Sequence, residues 1–210
     1  VFITLEGPEG SGKTTQIPRL VDWLRAQGHT VEVTREPGGT DIGNQIRDVL
    51  HDPVNTAMDA TAEILLYSAD RAQHVAQRVR PALAAGKIVV SDRYYDSTLA
   101  YQGYGRGLDL EMLHTITAFA TGGLKPDLTL YLDIAPEEGL QRRQANEEEW
   151  NRLDAETLEF HQRVRAGYME LIAQEPERWV VIDAARSVEE VQEEIKAQVQ
   201  KRLKQVERDA

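Results

Sequence analysis

Three glycines, a lysine and a threonine stand at fixed intervals in Gly7-Pro8-Glu9-Gly10-Ser11-Gly12-Lys13-Thr14. Their order specifies a phosphate-binding loop. Gly7, Gly10 and Gly12 let consecutive backbone N–H groups turn inward on phosphate oxygens, Lys13 reaches toward β and γ phosphates, and the Thr14 hydroxyl suits Mg²⁺. The apolar run Val1-Phe2-Ile3-Thr4-Leu5 precedes the loop and a helical pattern opens at Thr15, which is the setting such a loop requires. A nucleoside triphosphate carried with Mg²⁺ is the implied ligand; a glycine turn ahead of a helix is the plainer alternative.

A second group of candidates sits where apolar runs end. Arg35-Glu36-Pro37-Gly38-Gly39, Asp92-Arg93-Tyr94 and Asp183-Ala184-Ala185-Arg186 each follow a short run rich in β-branched residues. In an open parallel sheet, ligands bind beyond the carboxyl ends of the strands. Asp92, at the tip of Lys87-Ile88-Val89-Val90-Ser91, can take a Mg²⁺-bound water or orient an arginine. A GTPase would place Asp-x-x-Gly there and an Asn-Lys-x-Asp motif later; neither is present.

These candidates need a scaffold, and the hydrophobic pattern supplies one. Runs at 1–6, 30–35, 87–92, 127–134 and 179–184 alternate with helical patterns, predicting an α/β fold: a doubly wound, five-stranded parallel sheet with helices on both faces. Helices are expected from Thr14 to Gln27, from about Thr56 to Ala85, with Pro81 kinking or breaking the end, and from about Ala155 to Ala173. Val188, Val191, Ile195, Val199, Leu203 and Val206 form one apolar stripe, which either seals the sheet or meets a coiled-coil partner.

With 210 residues, 41% of them hydrophobic, one domain over 1–210 is expected. The net charge of −11 disfavours nucleic acid or an anionic membrane as a partner. There is no cysteine and no apolar stretch near 18 residues, so neither a disulfide framework nor a membrane span is expected, and the cytoplasm is the expected compartment. The five histidines lack partners at metal-ligand spacing and receive no role.

GPEGSGKTT, TREPGG, LLYSADRAQH, SDRYYDSTLAYQGYGRG, PDLTLYLD, NRLDAETLEFHQRVRAGY and VIDA, in this order, closely resemble bacterial thymidylate kinases over residues 1 to about 205. The resemblance implies the P-loop, nucleoside monophosphate kinase type of fold, a homodimer, and transfer of the ATP γ-phosphoryl group to dTMP with Mg²⁺. By the same resemblance Gly7 to Thr15 (Gly7, Pro8, Glu9, Gly10, Ser11, Gly12, Lys13, Thr14, Thr15) hold ATP, and Arg142 packs against adenine. Thr14 and Asp92, the latter directly or through water, serve the metal. Arg93 bridges donor and acceptor, and Arg47 holds the acceptor phosphate, although alone it reads as an ordinary helix arginine.

Tyr67 and Arg71 lie four apart and share a helix face; the resemblance makes them a stacking ring and a thymine-contacting guanidinium, with Thr98 and Gln102 at the base edge and Glu36, Pro37 and Tyr101 near the sugar. A lid at about 142–154 should supply the cation that Glu9 replaces in the phosphate loop. Arg152 is the first choice and Arg143 the second, with Asp154 or Glu9 as partners of Arg152 on closure; Glu147 to Glu149 read as a solvated charge run. A deoxynucleoside kinase with Glu36 as base, or a nucleotide-operated switch without catalysis, are the alternatives.

Overall fold

The structure, a computed structural model, describes residues 1–145 and 152–209. Five strands, β1 (Phe2–Glu6), β2 (Val31–Arg35), β3 (Ile88–Asp92), β4 (Leu128–Asp133) and β5 (Trp179–Asp183), form one parallel sheet in the order β2-β3-β1-β4-β5. Every residue of β1 is buried, as a central strand covered on both faces demands. Edge strands β2 and β5 are only partly buried.

The two faces carry separate cores that draw on alternate strand residues. Ile3, Leu5, Val90, Leu130 and Ile182 pack with Leu20 and Leu24 of α1 (Lys13–Ala26) and with Val191, Ile195 and Val199 of α9 (Val188–Asp209). The apolar stripe of the last helix therefore closes this face of the sheet. On the other side Phe2, Val89, Tyr131 and Trp179 meet Ile64 of α3 (Ala60–His74), Leu113 of α6 (Leu110–Thr121) and Val164 and Tyr168 of α8 (Leu158–Gln174).

Helix boundaries follow local chemistry. Thr40 caps α2 (Asp41–His51) by accepting from Gly43 N, Asp59 caps α3 by accepting from Thr61 N, and Thr157 caps α8 by accepting from Phe160 N, each cap contributing about 1 kcal/mol. The helix expected from Thr56 to Ala85 begins at Ala60 and neither breaks nor stops at Pro81. A π turn at Val75–Val79, in which Arg80 N donates to Val75 O, leads into α4 (Arg80–Ala84), and this wider turn absorbs the misfit around the missing proline N–H. Helix α7 (Pro136–Gln144) escaped the periodicity reading. A second π turn, Leu99–Gly105, continues the short α5 (Tyr95–Thr98) and carries Tyr101 and Gln102 into the site.

Register brings the strand ends level. Asp92 stands opposite both Leu5 of β1 and Arg35 of β2, so the three loops that follow these strands open side by side on one edge.

Candidate active site

Glycine geometry shapes the phosphate loop. Gly12 adopts φ +90° just before α1, and a Cβ on Gly10 would lie 2.0 Å from Gly139 O of α7, so only glycine lets the loop lie against that helix. No side chain caps α1, which leaves its positive dipole end directed at the loop. Lys13 Nζ donates to Gly7 O and Pro8 O at 3.0 Å and to Ser11 Oγ at 3.1 Å. Burial, with the nearby Arg93 cation, lowers its pKa to about 8.

Arg93 occupies the centre. Its φ of +68° is left-handed, a costly choice for a long side chain, and the residue is held there from all sides. Arg93 N donates to Leu5 O at 3.0 Å, Nη2 donates to Glu9 Oε1 at 2.7 Å and to Tyr101 OH at 3.1 Å, and Nη1 donates to Ser97 Oγ at 3.1 Å. The guanidinium lies 5.0 Å from the Tyr101 ring centroid. Burial alone would raise the Glu9 pKa, but Arg93 and Lys13 bring it down to about 2. Beneath them Glu6, the last residue of β1, accepts from Tyr94 N at 2.8 Å, from Ser97 Oγ at 2.6 Å and from Tyr168 OH at 2.7 Å. Burial pushes the Glu6 pKa up to about 7 against the opposing pull of Arg93. Glu6 is not among the residues singled out from the sequence; its one signal there is an acid ending an apolar strand.

A buried polar chain lines the other end. Arg71 Nε donates to Glu36 Oε2 at 2.7 Å, Arg71 Nη1 donates to Thr98 Oγ1 at 3.0 Å, and His74 Nδ1 donates to Glu36 Oε1 at 2.7 Å, while His74 Nε2 lies 2.6 Å from Thr34 Oγ1. Although burial opposes ionisation, Arg71 and His74 hold the Glu36 carboxyl below its usual range. His74, given no role above, thus orients a carboxylate of the site. Tyr67 and Arg71 both face the cleft from α3, as their spacing predicts, with Thr98, Tyr101 and Gln102 across from them. Arg47 Nη1 donates to Pro37 O at 2.9 Å, and burial and then the Arg35 cation lower its pKa.

Asp70 supports this chain and carries a test. Its Oδ1 accepts from Gly38 N at 2.9 Å while Oδ2 is buried with no partner, and burial, then the Glu36 charge, lifts its pKa from 3.8 to about 7. The folded state therefore keeps a proton that the unfolded chain releases between about pH 4 and 7, and the stabilisation is lost as pH rises through 7. Asp70→Asn should raise thermal stability at pH 8, on the order of 2 kcal/mol, and much less at pH 5. Melting curves at the two pH values check this; equal effects at both would contradict it.

The lid residues fall into two places. Arg142 Nη1 donates to Ala184 O at 3.0 Å, and Arg143 pairs with Asp154 at 3.2 Å; both arginines line the cleft. Arg152 does not. It is 8% exposed, forms an ion pair with Glu63 through Nη2 and donates from Nε to Leu50 O at 3.2 Å. The expected pairings of Arg152 with Asp154 or Glu9 are replaced by Arg143 with Asp154 and Arg93 with Glu9, because a buried guanidinium needs a carboxylate close by and Glu63 supplies it. Residues 146–151 of the expected lid, including Glu147 to Glu149, lie outside the described residues.

These side chains bound a cleft of about 900 Å³ lined, among the described residues, by eight cations and only Glu9, Glu36 and Asp92 as acids. On a chain of net charge −11 that local excess selects polyanionic ligands. Asp92 Oδ1 is buried there with no hydrogen-bond partner. No group of three or more His, Cys, Asp or Glu side chains among the described residues can chelate a metal, so a cation here would share its coordination with phosphates.

One end of the cleft offers an uncapped helix terminus and a lysine suited to a polyphosphate; the other presents arginines and a buried polar chain suited to a second anion. That pairing defines a P-loop phosphotransferase. Known sequences narrow the class: the family model described as thymidylate kinase matches residues 5–195. The thymidylate kinase of Roseiflexus sp. (strain RS-1) is 54% identical over 219 aligned positions, covering 99% of this chain and 97% of that protein. The thymidylate kinase of Bacillus pumilus (strain SAFR-032) is 53% identical over 205, covering 97% of each. The chain belongs to the thymidylate kinase family.

Proposed function

We infer that this chain transfers the γ-phosphoryl group of ATP to dTMP, giving dTDP and ADP. The observation that carries the reading is Arg93 fixed between the phosphate loop and the Arg71 chain, with cations on both sides. The acceptor, a phosphomonoester with a second pKa of about 6, is already largely dianionic at neutral pH and requires no protein base. Repulsion is the obstacle: at an effective dielectric near 20, unit charges about 4 Å apart oppose each other by about 4 kcal/mol.

Lys13 and the α1 terminus offset charge on the donor, Arg47 on the acceptor phosphate, and Arg93 on the group in flight. Tyr67 stacks on the base, Arg71, Thr98 and Gln102 read its edge, and Glu36, Pro37 and Tyr101 border the sugar. Arg142 flanks adenine, and Arg143, from its place on the cleft, takes the lid role that Arg152 on Glu63 does not fill. The unpartnered Asp92 Oδ1, with Thr14, suits Mg²⁺ arriving with ATP. The bound ion would neutralise phosphate charge. A hydroxyl-acceptor kinase using Glu36 as base is disfavoured, because a carboxylate held ionised by Arg71 and His74 is a weak base.

Residues 1–210 serve as one kinase unit with a lid near 142–154. A homodimer is supported by large apolar side chains left exposed on α3 and α6, which pack together: Leu65 at 55% and Phe119 at 89%. Phe119→Glu should halve the particle mass by light scattering; an unchanged mass would place the interface elsewhere. No described helix is long and apolar enough to cross a membrane; the net charge of −11 is what favours a cytoplasmic enzyme over one that works on nucleic acid or an anionic membrane. A coupled assay of ADP release tests the activity: turnover of dTMP should far exceed that of AMP, GMP and dCMP, and equal rates would refute the assignment.

A further inference from the structure

Glu63 sits one helical turn before Tyr67 and two before Arg71 on α3, and is 1% exposed. Both its oxygens are engaged. Oε1 accepts from Gln102 Nε2 at 2.8 Å and from Arg106 Nε at 2.7 Å; Oε2 accepts from Arg106 Nη2 at 3.1 Å and pairs with Arg152 Nη2. Although burial opposes ionisation, hydrogen bonds from Arg106, Arg152 and Gln102 hold its carboxyl below the usual range, so Glu63 is a carboxylate that can only accept.

An amide facing a carboxylate has one choice. Gln102 must turn its NH₂ toward Glu63, since the flipped amide would set oxygen against oxygen and leave a buried acceptor unpaired. Gln102 also lines the cleft, and with an Nε2 hydrogen given to Glu63, Oε1 is the acceptor its amide can offer to a ligand. Arg71 presents the opposite character, because a guanidinium only donates. A 4-oxopyrimidine, with a donor at N3–H and an acceptor at O4, matches that pair. A 4-aminopyrimidine carries an acceptor at N3 and a donor at N4, and it mismatches both.

We propose that Glu63 is a specificity-determining positioning residue, whose carboxylate locks the Gln102 amide with Nε2 inward so that the acceptor site takes 4-oxopyrimidine monophosphates and rejects 4-aminopyrimidine ones. This rests on the reading that Gln102 and Arg71 meet the base edge. Glu63 touches no substrate; it acts through Gln102.

The test compares kcat/KM for dTMP and dCMP in the unaltered protein, in Glu63→Gln and in Arg106→Gln. A carboxamide at 63 can present either end and releases the Gln102 amide to flip, so the dTMP-to-dCMP ratio should fall at least about tenfold, mainly through the KM for dCMP. Arg106→Gln removes ion pairs from Glu63 but leaves its carboxylate against Gln102, so it should lower thermal stability and keep the ratio. A folded Glu63→Gln protein whose ratio stays within about twofold of the unaltered value, or an equal fall in Arg106→Gln, overturns the proposal.

Should Glu63→Gln not fold, hydrogen exchange at the Gln102 side-chain amide in the unaltered protein decides, with the signal assigned by its loss in Gln102→Met. Slow exchange with and without dTMP supports the lock; fast exchange overturns it. Absence of any dTMP preference in the unaltered protein would instead refute the kinase reading and the lock together, whereas a strong preference that survives Glu63→Gln sinks the lock alone.

Discussion

Replacing Arg93 with alanine should lower kcat for dTMP phosphorylation by about 10³, equivalent to about 4 kcal/mol, while KM for either nucleotide should move only a few fold. The asymmetry follows from where the guanidinium stands. Arg93 is anchored by Tyr101, Ser97 and Glu9 between the two ends of the cleft, so its contact should strengthen as charge shifts from donor to acceptor rather than on binding. Arg93→Lys should recover little, because an ammonium cannot span two phosphates as a planar fork does. The backbone supplies a control: at φ +68°, Arg93→Gly should melt above Arg93→Ala by about 1 kcal/mol of stability while being equally inactive. Steady-state kinetics and melting curves separate these effects, and a KM rise with unchanged kcat would make Arg93 a binding residue only.

The second large effect belongs to Arg71. Arg71→Ala leaves Glu36 buried with His74 as its remaining side-chain partner, and breaking a buried pair in this way costs about 3–5 kcal/mol, which for a chain of this size lowers Tm by about 6–20 °C. Affinity for dTMP should fall at least about a hundredfold, since the proposed polar contact to the base is lost together with the anchor of Thr98. Pairing Arg71→Ala with Glu36→Gln tests the cause: removing the orphaned charge should restore much of the stability and little of the binding. Calorimetric titration with dTMP reads the second quantity directly. Unaltered affinity in Arg71→Ala would remove the base from this end of the cleft.

What the sequence disclosed and what it hid divide along physical lines. Strand positions were legible because a sheet buried on both faces demands continuous apolar runs, and Phe2–Glu6 and Leu128–Asp133 read as such. The phosphate loop was legible because its glycines answer to backbone sterics that are local in the chain. Arg152 was not, since its fate depends on Glu63, 89 residues away, and no pattern in the lid segment reveals that competitor. Glu6 and His74 were hidden for the same reason: Glu6 meets Tyr168 across 162 positions, and His74 meets Glu36 across 38. The π turn carrying Gln102 was equally hidden, because a turn one residue wider than an α-helix leaves no trace in hydrophobic periodicity.

On the reading proposed above, cations gathered at the carboxyl edge of the sheet bring two mutually repelling nucleotides together, with Arg93 between them. A crystal structure of the complex with dTMP, Mg²⁺ and a non-hydrolysable ATP analogue decides the matter. Arg93 should leave Glu9 and donate to oxygens of both the dTMP phosphate and the γ-phosphate analogue. A complex in which both nucleotides are bound while Arg93 stays on Glu9 and touches neither would contradict it.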